Sequence, residues 1–139
     1  NLKRLIPEVI LSTITKKKFV IRSNGKSTRD YVYVEDVVDA YIKLFNKLKT
    51  SKNNLKIYNV SSKFNYSVNK IVKMILKIMK KENLKPIILN SSKQELNFQR
   101  LNYFKIQREL KWKPKTNIKK GLIKTIEWYI KNHRFFKKK

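Results

Sequence analysis

Apolar residues recur at helical spacing from the first line of the chain: Leu2, Leu5, Ile6, Val9, Ile10 and Ile14. The spacing predicts a helix that starts around residues 3–6 and ends near Lys16. Pro7 is tolerable there only in the first turn, where backbone N–H groups have no intrahelical acceptor. Residues 19–22 are β-branched and aromatic and predict a strand. Ser23-Asn24-Gly25-Lys26 carries turn chemistry, with Gly25 available for positive φ. Residues 30–34 alternate aromatic and β-branched side chains, a second short strand. Glu35 and Asp36 then open a helix whose apolar face is Val37, Val38, Tyr41, Ile42, Leu44, Phe45 and Leu48. Acidic residues in a first turn suit the positive end of the helix dipole, which assigns this pair a structural rather than a catalytic role.

Further along, residues 51–54 read as a polar loop and residues 55–60 ("LKIYNV") as a buried strand. Ser67 is placed to cap a helix whose inner stripe is Val68, Ile71, Val72, Ile75, Leu76 and Met79. Residues 86–89 predict another strand, and residues 91–100 an irregular polar segment. Asn102 is placed to cap a short helix over 103–110, closed by Trp112-Lys113-Pro114. Thr116 or Asn117 then caps a last helix, 118–132. Strands alternate with helices throughout, which predicts an α/β fold. No internal repeat or linker interrupts the pattern, so residues 1–139 read as one packed unit.

Composition narrows the function. The 139 residues are 41% hydrophobic, enough for a modest core. There is no cysteine and a single histidine, His133, which removes disulfides, thiolate nucleophiles and histidine- or cysteine-based metal clusters. The apolar runs are short and broken by lysine, unlike a membrane span or a signal peptide, so a soluble cytoplasmic protein is the expectation. The chain starts at Asn1, not at methionine, and almost inside a helix, which suggests the C-terminal part of something longer. A net charge of +26 raises nucleic acid as a partner. The basic residues are mostly lysine and spread over every predicted element, whereas a nucleic-acid reader clusters arginine and aromatics on one face. Compositional bias is the preferred explanation, and Lys137-Lys138-Lys139 reads as a solvated basic tail. A small, basic, non-catalytic nucleic-acid-binding domain stands as the rival.

Two glycines, Gly25 and Gly121, cannot build a dinucleotide fingerprint or a phosphate-cradling loop. The nine acidic residues show no arrangement that demands a carboxylate pair. Tyr66 and Lys70 have the spacing of a Tyr-x-x-x-Lys acid–base pair, but Tyr66 precedes the cap Ser67 and so falls outside the helix that such a pair requires. Arg29 is the remaining candidate. Its permanently charged planar fork suits two phosphate oxygens, and it also stands within reach of a salt bridge to Asp30 or Asp36.

The run "GKSTRDYVYVEDVVDAY" resembles the arginine-aspartate-aromatic segment of the NAD-dependent epimerase/dehydratase family, the extended short-chain dehydrogenases acting on nucleotide sugars. In order along the chain, "RLIPEVI", "IYNVSS" with "YSVNKIV", and "LNYFKIQRELKWKPKTNIKKGLIKTIEWY" resemble further segments of that family. The opening looks nearest to its dehydratase branch, close to CDP-glucose 4,6-dehydratase. The resemblance implies the C-terminal substrate-binding lobe, with the Rossmann half, its bound NAD and its catalytic residues absent from this chain. It implies a nucleotide-diphosphate sugar as ligand, with Arg29 on the diphosphate. Arg4, Leu5, Ile6, Val20 and Ile21 would lie along the base and ribose, and Asn59 near the nucleotide. The full-length enzyme would be a 4,6-dehydratase or an epimerase, possible as a homodimer, and this chain alone inactive. Two departures stand out. A second phosphate-contacting arginine has no clear counterpart, Asn97 occupying its place with Arg100 offset. Lys111 replaces the usual glycine before Trp112.

Overall fold

The computed structural model describes residues 2–50, 56–91 and 96–136. The chain runs α1 (Leu5–Ile14), β1 (Val20–Ile21), β2 (Thr28–Asp30), α2 (Val34–Lys49), β3 (Asn65–Ser67), α3 (Val68–Ile78), β4 (Ile87–Ile88), α4 (Phe104–Leu110) and α5 (Ile118–Asn132), closing with a 3-10 turn, His133–Phe136. Residues 51–54, the start of the strand expected over 55–60, and the tail at 137–139 lie outside the described residues.

Local hydrogen bonding sets most helix starts. Ser67 Oγ accepts from the Lys70 amide at 3.2 Å, and Asn117 Oδ1 from the Lys120 amide at 2.9 Å. Asn102 Oδ1 accepts from the Phe104 amide at 2.8 Å. Each side-chain oxygen satisfies a donor that the helix itself leaves unpaired. Pro7 is the third residue of α1, where its missing N–H costs nothing.

The helix ends are less orthodox. Lys16, Lys80 and Lys111 all sit in the left-handed region, at φ 55°, 54° and 51°. After α1, the Lys17 amide reaches the Ser12 carbonyl at 2.9 Å and the Lys16 amide the Thr13 carbonyl at 3.4 Å. After α3, the Lys81 amide reaches Leu76 at 2.9 Å and the Lys80 amide Lys77 at 3.1 Å. Both are Schellman endings, with lysine where glycine is usual.

α1, α3 and α5 pack together with β1 over a core of Val9, Ile10, Phe19, Ile21, Ile71, Ile75, Leu122 and Ile126. A second cluster joins Ala40 of α2 to Ile106, Leu110 and Trp112 around α4, with Tyr58 and Val60 packed against it. The strands form two small sheets. β1 pairs with β4 in parallel, Val20 opposite Ile87, and β2 pairs with β3 antiparallel, Arg29 opposite Tyr66.

Several expectations are corrected. The second strand lies at 28–30, not 30–34, because β3, which had no visible pattern, supplies a pairing edge only there. Residues 56–60 form no strand. Tyr58 and Val60 pack inward, while Ile57 between them is 71% exposed. The helix α2 has two apolar stripes, not one. Val37, Ala40, Leu44 and Leu48 turn inward, while Val34, Val38, Tyr41, Ile42 and Phe45 are exposed. The segment expected to be irregular carries order as well: Phe98 bridges to Thr28 in parallel fashion, so residues 97–99 flank β2 on its other side.

Candidate functional site

Arg29 occupies the middle of β2, the centre of a short three-ply arrangement with β3 on one edge and residues 97–99 on the other. Two backbone bonds fix the second edge: the Thr28 amide donates to the Asn97 carbonyl at 2.9 Å, and the Gln99 amide to the Thr28 carbonyl at 3.2 Å. The guanidinium is aimed by carbonyls. Arg29 Nη1 donates to Leu96 O at 2.7 Å and to Thr28 O at 2.8 Å. A cation held this way from strand backbone has a defined direction before any ligand arrives.

Both carboxylates weighed as salt-bridge partners have other work. Asp30 Oδ1 accepts from the Ser62 amide at 2.8 Å, and Asp30 Oδ2 accepts from the Ser61 hydroxyl. Asp36 is buried, and its Oδ2 accepts from the Thr116 amide at 2.9 Å. Its main-chain carbonyl takes the Trp112 indole N–H. Asp36 is thus a structural knot. Glu35 beside it pairs with Lys124 at 2.7 Å, which raises that ammonium's pKa, and the Lys124 ammonium lies 5.2 Å from the centre of the Tyr33 ring. Burial foremost, then the Glu35 charge, pushes the Tyr33 phenol up.

The turn feeding β2 depends on Gly25, at φ +76°, whose carbonyl accepts from the Asn69 amide at 2.9 Å. A Cβ there would stand 2.1 Å from Asn69 Oδ1. The start of α1 is bound to β1 in two ways. Arg22 Nη1 donates to Lys3 O at 3.4 Å, and the Val20 amide donates to Glu8 Oε1, also at 3.4 Å. Arg4, Leu5 and Ile6 therefore share a neighbourhood with Val20 and Ile21. Ile21 itself is only 2% exposed and packed in the core. Val20 and Ile6 are half-buried and Arg4 is exposed. Asn59 is exposed on the run beside α4, apart from that group, between the inward Tyr58 and Val60.

Tyr66 ends up in β3 and Lys70 in the first turn of α3, the ammonium 5.2 Å from the ring centre. The lysine faces the π-cloud, an ordinary cation–π contact. Among the described residues no group of three or more acidic or histidine side chains is placed to hold a metal ion, and no helix is long and apolar enough to cross a membrane. Of the two glycines, one serves the turn before β2 and the other, Gly121, lies inside α5 against Tyr33. Neither forms a dinucleotide-binding turn.

A cleft of about 560 Å³ runs between Tyr31, Phe64, Tyr66, Tyr103, Phe104 and Lys113. Lys63 and Lys115 line it as well, so aromatic and basic side chains share the groove.

A family model described as GDP-mannose 4,6 dehydratase matches residues 2–125. The chain belongs to the NAD-dependent epimerase/dehydratase family. Human dTDP-D-glucose 4,6-dehydratase is 30% identical to it over 141 aligned positions, which cover 97% of this chain and 39% of that protein. Among solved structures, UDP-glucose 4-epimerase of Thermotoga maritima with UDP-glucose is similar at TM-score 0.80 and 26% identity, covering 94% of this chain and 40% of that one. The dTDP-glucose 4,6-dehydratase of Bacillus anthracis in complex with NAD shares the fold at TM-score 0.78 and 22% identity, over 96% and 41%. The chain thus spans about two fifths of the length of these relatives. The α/β organisation is that of the family's extended short-chain dehydrogenase fold, over that part of it.

Proposed function

We propose that this chain is the C-terminal, nucleotide-sugar-binding part of an NAD-dependent 4,6-dehydratase or 4-epimerase, and that Arg29 clamps the diphosphate. The observation that carries this is the fixed aim of Arg29 Nη1 by the Leu96 and Thr28 carbonyls on a strand flanked on both edges. A charge-assisted contact to the diphosphate holds the distant sugar in register, and binding energy remote from the reacting carbon then serves its orientation. Arg4, Leu5, Ile6 and Val20 supply the wall for base and ribose, Ile21 backs it from the core, and Asn59 approaches the nucleotide from the other side. NAD and the reacting groups belong to the remainder of the longer enzyme.

Strand alternation also bears on the second phosphate contact. Phe98 is in register with Thr28, so Asn97 and Gln99 share the face of Arg29, while Arg100 shares the face of Thr28. Asn97 is therefore the preferred neighbour of the clamp, a neutral hydrogen-bonding group in place of a second cation.

The test is calorimetric titration of the intact protein with dTDP, UDP, GDP and CDP near physiological ionic strength. Arg29→Ala should weaken the tightest of the four by at least tenfold, with lysine substitutions elsewhere on the surface nearly silent. Equal effects from any basic residue, or no binding by wild type, would sink the assignment.

A further inference from the structure

The residue beside the clamp has a carboxylate one position away from where an anionic diphosphate would lie. An unrestrained Asp30 carboxylate close to the diphosphate would repel it. Its surroundings prevent that. Successive strand residues point to opposite faces, so Asp30 leaves β2 on the side away from Arg29. There the Ser62 amide donates to Oδ1 at 2.8 Å, and the Ser61 hydroxyl meets Oδ2. Ser61 is fully buried, and its Oγ also lies 2.8 Å from the Leu101 carbonyl and 2.9 Å from that of Ser62, one proton being shared among these acceptors.

This small network touches both supports of the guanidinium. Through Asp30 it anchors β2, which carries Arg29 and the Thr28 carbonyl. Through Leu101 it anchors the far end of the segment whose Leu96 carbonyl takes Nη1. The same segment is held between those points by Thr28 and by the Asn65 side chain, whose Nδ2 donates to Gln99 O at 2.6 Å. Asp30 has no place on the face of Arg29, so it acts on binding only through the residues it positions, Arg29 foremost.

We infer that Asp30, tethered by Ser61 and Ser62, is a positioning residue that keeps Arg29 directed at the diphosphate. The inference rests on Arg29 being the clamp, and the experiment separates the two. With the intact protein and the tightest of the four nucleoside diphosphates, Kd is measured for Arg29→Ala, Asp30→Ala, Asp30→Asn, Ser61→Ala and the Arg29→Ala/Asp30→Ala double variant. Thermal unfolding of each variant reports whether it is folded.

Asp30→Ala and Ser61→Ala should each weaken binding about five- to tenfold. Asp30→Asn, which keeps an acceptor for the Ser62 amide, should recover most of that loss. In the Arg29→Ala background, removal of Asp30 should add less than a twofold change, which a general loosening of the fold would not produce. If Asp30→Ala fails to fold, Ser61→Ala and Asp30→Asn carry the comparison. An effect of Arg29→Ala with none from Ser61→Ala and Asp30→Ala overturns the positioning role and leaves the clamp standing. Full additivity in the double variant also overturns it, since Asp30 would then act on the ligand independently. No effect of Arg29→Ala overturns the clamp itself.

Discussion

The indole N–H of Trp112 donates to the main-chain carbonyl of Asp36 at 2.9 Å, across 76 residues of sequence. Trp112 is fully buried, and the Asp36 carboxylate meanwhile accepts from the Thr116 amide. One aspartate at the start of α2 therefore fastens the whole connection between α4 and α5. Trp112→Phe strips a buried carbonyl of its donor and leaves a void, and should cost roughly 2–3 kcal/mol. Urea unfolding measures it. A loss under about 0.5 kcal/mol would mean that water takes over the bond.

Lys111 ends α4 in the left-handed conformation, at φ 51°. A side chain there costs about 1–2 kcal/mol, partly offset because glycine makes the unfolded chain freer. Lys111→Gly should stabilise the protein by about 0.5–1 kcal/mol. The same change at Lys16 and Lys80 should act in the same direction, and the three should add, being separate helix ends. A destabilised Lys111→Gly protein would contradict the strain argument at its best-placed site.

Gly25→Ala faces two penalties, the positive φ and the approach to Asn69 Oδ1. Together they should cost on the order of 2–4 kcal/mol. Combining it with Asn69→Ala separates them: the steric part should return and the backbone part should remain. Complete recovery would show that the positive φ carries no strain for alanine at this turn.

The Tyr58 hydroxyl donates to Glu109 Oε2 at 2.8 Å. That bond, foremost, holds the Glu109 carboxyl below its ordinary 4.5, while burial and then Glu109 push the Tyr58 phenol above its ordinary 10.0. The lowered carboxylate contributes stability present above 4.5 and lost as pH falls through its folded value. The raised phenol contributes stability present below 10.0 and lost as pH rises through its folded value. Tyr58→Phe should flatten both limbs of the stability–pH profile and leave its middle lower. An unchanged acid limb would mean that the pair is open in solution.

What the sequence revealed follows the range of the forces involved. Ser67 and Asn102 were legible as caps, and Asn117 as one of two candidates with Thr116, because each bonds an amide two or three residues on. The strand β3 was not, since Asn65, Tyr66 and Ser67 show no strand pattern and become one only by lying against β2. Residues 55–60 misled in the opposite way. Their alternation is that of a strand, yet the described part finds no pairing edge, and Tyr58 and Val60 pack on helices instead. The outer stripe of α2 was merged with the inner one because periodicity reports apolar faces and not what covers them. Arg29 was visible as a fork between the turn and the strand expected at 30–34. Its aim came only with the Leu96 carbonyl, 67 residues away.

The lysine endings of α1, α3 and α4 also say something about the order of events in folding. Lysine is a good helix former, so these positions do not by themselves instruct the growing helix to stop. The halts at Lys16, Lys80 and Lys111 depend on the packing that follows them, as at Trp112, which reaches its partner only when distant segments meet. Helices are therefore expected to overrun their native limits in the first moments after dilution from denaturant and to be trimmed as the core closes. Stopped-flow circular dichroism should register helical signal in excess of the native level before it settles.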